Sequence, residues 1–228
     1  MKSTIKPLLV ALALTASTSS FVFAQSKPSV AEYRQVVTGR ADKIVKGLSL
    51  ADSTKYFKVR EIIADQYVNL STIHDARNAK IKEVKEANKD NKEKSASEVK
   101  AVELKADKKL AKVHKSFIKK LSKQLSAQEV EGVKNGLTYN VLPNTYRAYQ
   151  EMLPNLTEEQ KKQILAWLTE AREHAMDAES SEKKHAWFGK YKGRINNYLS
   201  AAGIDMNKEG KAWQERIKAQ KAQQTNVN

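Results

Sequence analysis

Apolar residues in this chain recur at intervals of three and four, and no segment alternates singly over the length of a strand, which is the pattern of amphipathic helices. Val59, Ile63, Tyr67, Leu70, His74, Ile81 and Val84 fall on one stripe and predict a helix from about Asp52 to Asn88. Directly after it, the series Val99, Ala106, Val113 and the series Leu110, Phe117 repeat every seven residues, predicting a partner helix from Ser95 to Lys123. With so short a link near Asp90-Asn91, the two form an antiparallel hairpin. Ser49 with Asp52, Ser95 with Glu98, Ser126 with Glu129 and Thr157 with Gln160 have the spacing at which two side chains each satisfy a free amide of a helix start.

Thr157 opens a helix whose inner face is Ile164, Leu168, Ala171 and Ala175. The next helix starts near Ser180 with Phe188, Tyr191, Ile195, Tyr198 and Ala202 as its inner stripe, and Gly203 ends it. Gly189 and Gly193, one turn apart, predict that a helix or a ligand approaches that backbone closely. Residues after Ala219, rich in Gln, Asn and Thr, suggest a disordered tail. The expected fold class is all-α: a helical bundle with a long basic antiparallel helical hairpin. Residues 25–218 form one domain, with the arm over about 52–123 and a compact aromatic-rich part over about 126–218.

Composition sharpens this outline. The chain has 228 residues, four prolines, eight glycines and no cysteine, so its fold holds by packing alone. Lys2 and Lys6, an apolar run from Pro7 to Leu14, and Val22-Phe23-Ala24 read as a signal peptide cleaved after Ala24. The run is too short for a membrane span, so export is expected. The formal charge is +15 overall and +13 after such cleavage, and residues 80–123 alone hold 15 lysines against seven acids. A surface for polyanions becomes plausible on that arm. Export makes acidic polysaccharide a better partner than nucleic acid, and the alternative use of the charge is a solvated face.

All three tryptophans and five of eight tyrosines lie after residue 135, so a specific site is expected there. Glu170, His174 and Asp177 share an outer face of the Thr157 helix with Trp167 one turn earlier. A tryptophan beside carboxylates and an imidazole can stack on a sugar ring and hydrogen-bond its hydroxyls. On the following helix His185, Trp187, Lys190, Arg194 and Asn197 complete the candidate ligand-binding set. No catalytic residue is assigned. Metal is not expected, because no pair of histidines stands at tight zinc-ligand spacing, and no cofactor fingerprint occurs. Glu170 and Glu173 beside His174 leave open acid–base work by a glycan-active or metal-dependent enzyme.

The string Glu151-Met152-Leu153-Pro154-Asn155-Leu156-Thr157-Glu158-Glu159-Gln160 resembles part of an exported Bacteroidetes domain-of-unknown-function family, number 3826. The same holds for Trp167 through Asp177, for His185 through Leu199 and for Ile73-His74-Asp75-Ala76-Arg77-Asn78. The resemblance spans nearly all of the chain after residue 24. It implies sugar binding, a Gram-negative periplasm and an accessory role in polysaccharide utilisation, with no catalytic residues to carry over. Leu156-Thr157-Glu158-Glu159-Gln160 is also similar to the L-T-x-x-Q string of Spy-like periplasmic chaperones, which makes an ATP-independent chaperone the alternative function.

Overall fold

The computed structural model describes residues 29–225, and the expected signal peptide lies outside them. Among the described residues every regular element is a helix. The order is α1 (Val30–Lys46), α2 (Ser53–Ala87), α3 (Lys92–Ser122), α4 (Ala127–Leu137), α5 (Val141–Met152), α6 (Glu158–Met176), α7 (Ser181–Ala201) and α8 (Met206–Thr225). The all-α class and the α2–α3 hairpin thus match the periodicity.

Helix starts show which polar side chains define the boundaries. Ser126 and Thr157 form reciprocal capping boxes with Glu129 and Gln160, and Ser29 forms a third with Glu32 at the start of α1. The other two expected boxes do not form. Ser49 lies in the preceding loop at φ +54° and Asp52 itself caps α2. Asn91 caps α3, which places Ser95 inside the helix and moves its start to Lys92. At the far end of α7, the Gly203 amide donates to the Ser200 carbonyl and the Ile204 amide to that of Leu199, at 3.0 and 3.1 Å. With Gly203 at φ +86°, this is a left-handed C-terminal stop that a side chain would strain. Helix α8 continues through Thr225, across most of the segment expected to be a disordered tail.

Two cores meet in the middle of the molecule. The first packs Val37, Ala41 and Val45 of α1 against Val59 and Ile63 of α2, Phe117 and Leu121 of α3, and Val130 and Val133 of α4. The second gathers Tyr149 of α5, Ile164 and Leu168 of α6, and Phe188, Tyr191, Ile195 and Leu199 of α7. Leu199 is buried, whereas Ala202 is exposed at the end of the expected stripe. Met176, at the end of α6, inserts into the first core and joins the two.

Close backbone approach occurs at a different glycine pair from the expected one. Nothing described lies within 4 Å of where a Cβ would stand on Gly189 or Gly193, so neither serves as a close-packing notch. On α4, a Cβ at Gly132 would stand 2.7 Å from Leu48 Cδ2, and one at Gly136 2.8 Å from Ile44 Cγ2. Those two glycines let the end of α1 and its following turn seat on α4. No described helix is long and apolar enough to cross a membrane.

Candidate functional site

The C-terminal turn of α6 points at the middle of the hairpin, and the space between them is a groove of about 760 Å³. His74, Arg77 and Asn78 of α2 form one wall and Glu103, Asp107 and Leu110 of α3 the next. His174, Asp177 and Glu179 close it from α6 and the α6–α7 link, with Lys183 and Trp187 contributed by α7. A hollow of about 570 Å³ also runs along α8, but a single helix face lines it and encloses nothing.

Trp187 gives the groove its aromatic surface. The His174 ring stacks on it at 4.3 Å between centroids and 15° between planes, and the Lys190 ammonium lies 5.1 Å from the ring centroid. Opposite are both donors and acceptors. Glu179 takes the Arg77 guanidinium and, at 3.3 Å, the Asn78 amide, which fixes the α6–α7 link against α2. Burial raises the Glu179 pKa, but Asn78 and Arg77 outweigh it and the carboxyl ends below its ordinary value.

Behind the groove runs a buried polar relay. His74 Nε2 lies 2.7 Å from the Asp177 carbonyl, and since a carbonyl only accepts, that nitrogen carries the proton. Its Nδ1 has no hydrogen-bond partner among the described residues and sits 3.9 Å from a Glu179 oxygen. Asp177 Oδ2 accepts from His114 Nδ1 at 2.9 Å, while its Oδ1 is buried and unpartnered. His114 also faces Glu173 at 3.5 Å. Hydrogen bonds to Asp177 and Glu173 hold the imidazole pKa up at about 9. Burial would raise Glu173, but His114, Lys134 and Arg172 bring it down to about 2.

Of the nine sequence-derived site residues, His174, Asp177 and Trp187 line the groove and Lys190 lies over its tryptophan. Trp167, Glu170 and Arg194 assemble beside it as a separate cluster. The Arg194 guanidinium covers Trp167 at 4.5 Å and approaches Glu170 at 3.9 Å, and Tyr198 meets the Trp167 ring edge-on at 5.3 Å. The single recognition face expected from helical phase is thus divided between two clusters. Burial, with a hydrogen bond to Glu170, pushes the Tyr191 phenol up to about 12. His185 is not part of either group: it stacks on Tyr139 at 5.5 Å on the other side of α7. Asn197 is exposed and lines neither. Asp177 belongs to the groove for another reason than the one expected, since it is the C-cap of α6 and turns toward the hairpin.

Sequence reasoning missed the hairpin's share of the site. His74 sits on the buried stripe as expected, but its partner is the carbonyl of a residue 103 positions away. The signal for it was the string Ile73 to Asn78, which supplies three groove residues. Sequence matching with known proteins bears on the same string: the family described as "protein of unknown function (DUF3826)" matches over residues 34–219. The chain belongs to DUF3826. The match includes every residue of the groove and both cores' helices α2 to α7. No curated protein matches the chain.

None of the hairpin's lysines lines the groove, whose walls carry Glu103, Asp107, Asp177 and Glu179 against Arg77 and Lys183. Among the described residues no three His, Cys, Asp or Glu side chains converge as a metal-binding group. What the arrangement offers is an aromatic surface faced by acceptors and donors, features that complement a polar ring compound.

Proposed function

We propose that this protein is a non-enzymatic carbohydrate-binding accessory protein of the periplasm, serving polysaccharide utilisation, and that its ligand is a neutral sugar held in the groove between α2–α3 and α6–α7. The observation that carries the reading is the Trp187–His174 stack set across an open groove from Arg77, Asn78, Glu103 and Asp107. A pyranose has an apolar face for an aromatic ring and a girdle of hydroxyls that both donate and accept, and this groove supplies the complement of each. The signal sequence read in residues 1–24 and the resemblance to an exported Bacteroidetes family support the location and the ligand class.

Calorimetric titration of a panel of neutral and acidic oligosaccharides tests it. Neutral oligosaccharides should give saturable heats, and Trp187→Ala should weaken them by roughly ten- to a hundredfold, the loss of about 1.5–3 kcal/mol of aromatic contact. Absence of heat across the whole panel would end the proposal. The chaperone reading gains no support from the L-T-x-x-Q string, because Thr157 and Gln160 are engaged in capping each other's amides.

A further inference from the structure

Helix α3 carries two faces of opposite character. Glu103, Asp107 and Leu110 turn toward the groove, whereas Lys108, Lys109, Lys112, Lys115, Lys119 and Lys120 fall on the opposite side, within a wedge of roughly 140° at 100° per residue. Lys123 continues the same line. From Lys108 to Lys123 there is no acid at all, and each of these lysines is exposed and outside any ion pair among the described residues.

A helix kept soluble by charge would intersperse both signs, so that acids at i+3 or i+4 relieve each lysine. Here the neighbours at those spacings are other lysines: Lys108 with Lys112, Lys112 with Lys115, Lys115 with Lys119, Lys119 with Lys123. Each pair is repulsive and destabilises the helix. The helix dipole accounts for cations in the last turn only, which contains Lys119 and Lys120. The remaining segregation is unexplained by folding, and an arriving anion relieves it.

We propose that this stripe is a docking surface for an anionic polysaccharide chain, separate from the sugar groove and independent of the reading given to it. Charge complementarity defines the partner as a linear polyanion. The stripe runs about 22 Å by the helical rise, long enough for several consecutive charged units. A flat anionic membrane would reach only the crest of so wide a wedge, and no large apolar side chain stands in it to enter the bilayer interface. A single-stranded nucleic acid would want aromatic platforms for its bases, and the aromatic residue of this segment, Phe117, is buried on the other side. A flexible carboxylated or sulfated glycan can follow the curved face and needs only its charges met.

The experiment titrates the full chain with polygalacturonate, its neutral methyl ester, phosphatidylserine vesicles and oligothymidylate. Binding of polygalacturonate but not of the ester is expected, falling steeply as ionic strength rises toward about 0.15 M. The quadruple variant Lys108→Gln, Lys112→Gln, Lys115→Gln, Lys119→Gln should bind at least about tenfold more weakly. Its arginine counterpart at the same four positions should bind as the native chain does, and Trp187→Ala should leave this binding untouched. Undiminished binding by the glutamine variant, salt-insensitive binding, no binding to the polyuronate, or tighter binding to vesicles or to oligothymidylate would each overturn the proposal. Should the glutamine variant fail to fold by circular dichroism, the arginine variant and the salt dependence still decide it.

Discussion

Two buried polar residues flank the end of α6 and are treated oppositely by the fold. Arg172, 2% exposed, has its guanidinium fully engaged: Asn135 accepts at 2.8 Å, Glu173 at 3.1 Å, and Glu131 lies at 2.6 Å. His74, 4% exposed, uses one nitrogen and leaves the other without a partner, as Asp177 does with one oxygen. The first arrangement ties α4 to α6 and contributes only to holding them together. The second leaves hydrogen-bonding capacity unused beside a groove, which costs stability rather than adding to it.

The contrast is sharpest in thermal and urea unfolding. Removing Arg172 as Arg172→Ala should cost about 3–5 kcal/mol, because the carboxylate of half-buried Glu173 loses a counter-charge and a cavity opens. A loss below about 1 kcal/mol would mean the arginine is not the clamp its geometry indicates.

His114 provides the next largest effect. Its folded pKa of about 9 stands above the ordinary 6.5, so its contribution is complete below about pH 6.5 and disappears as pH rises through about 9. Between those limits the native chain should lose about 1–3 kcal/mol more than His114→Gln does, after allowance for partial exposure of the ring. Lys184, held down to about 8 chiefly by burial, titrates in the opposite sense from about pH 8 up to its ordinary 10.5, but both chains carry it and the difference cancels it. Identical pH profiles for the two would show that the ion pair with Asp177 contributes nothing.

The smallest effect is expected at His74. His74→Phe abandons the bond to the Asp177 carbonyl but also removes the unpartnered Nδ1, and the two changes should nearly offset, leaving a loss of about 1 kcal/mol. A loss equal to that of Arg172 would erase the distinction between the two clusters.

Much of the framework was legible because short-range chemistry writes it. The stripe from Val59 to Val84 sets the phase of α2, and Ser126 and Thr157 cap their helices through partners three residues away. The site was legible in part only, because its geometry depends on residues far apart in the chain. Asp177 follows the helical phase of Glu170 and His174 on paper, but as a C-cap it turns toward His114. His74 looks like any buried position of its stripe until α6 arrives. The glycines make the same point: Gly132 with Gly136 and Gly189 with Gly193 share one spacing, and only the first pair meets another element. Spacing alone says that a surface is notched, not that something fills the notch.

The hairpin's burial is unequal along its length. On α2 and its C-cap beyond Asn78, only Val84 and Asn88 are buried, and on α3 before Leu110 only Ala106 is. Local opening should therefore be easiest at the Asp90 turn and hardest at the root, where Val59, Ile63, Phe117 and Leu121 are sealed. Amide protons would exchange in that order, fastest at the tip. The groove lies between these limits, on the root side of the turn, so fraying of the outer hairpin can proceed while the floor beneath Trp187 stays in register.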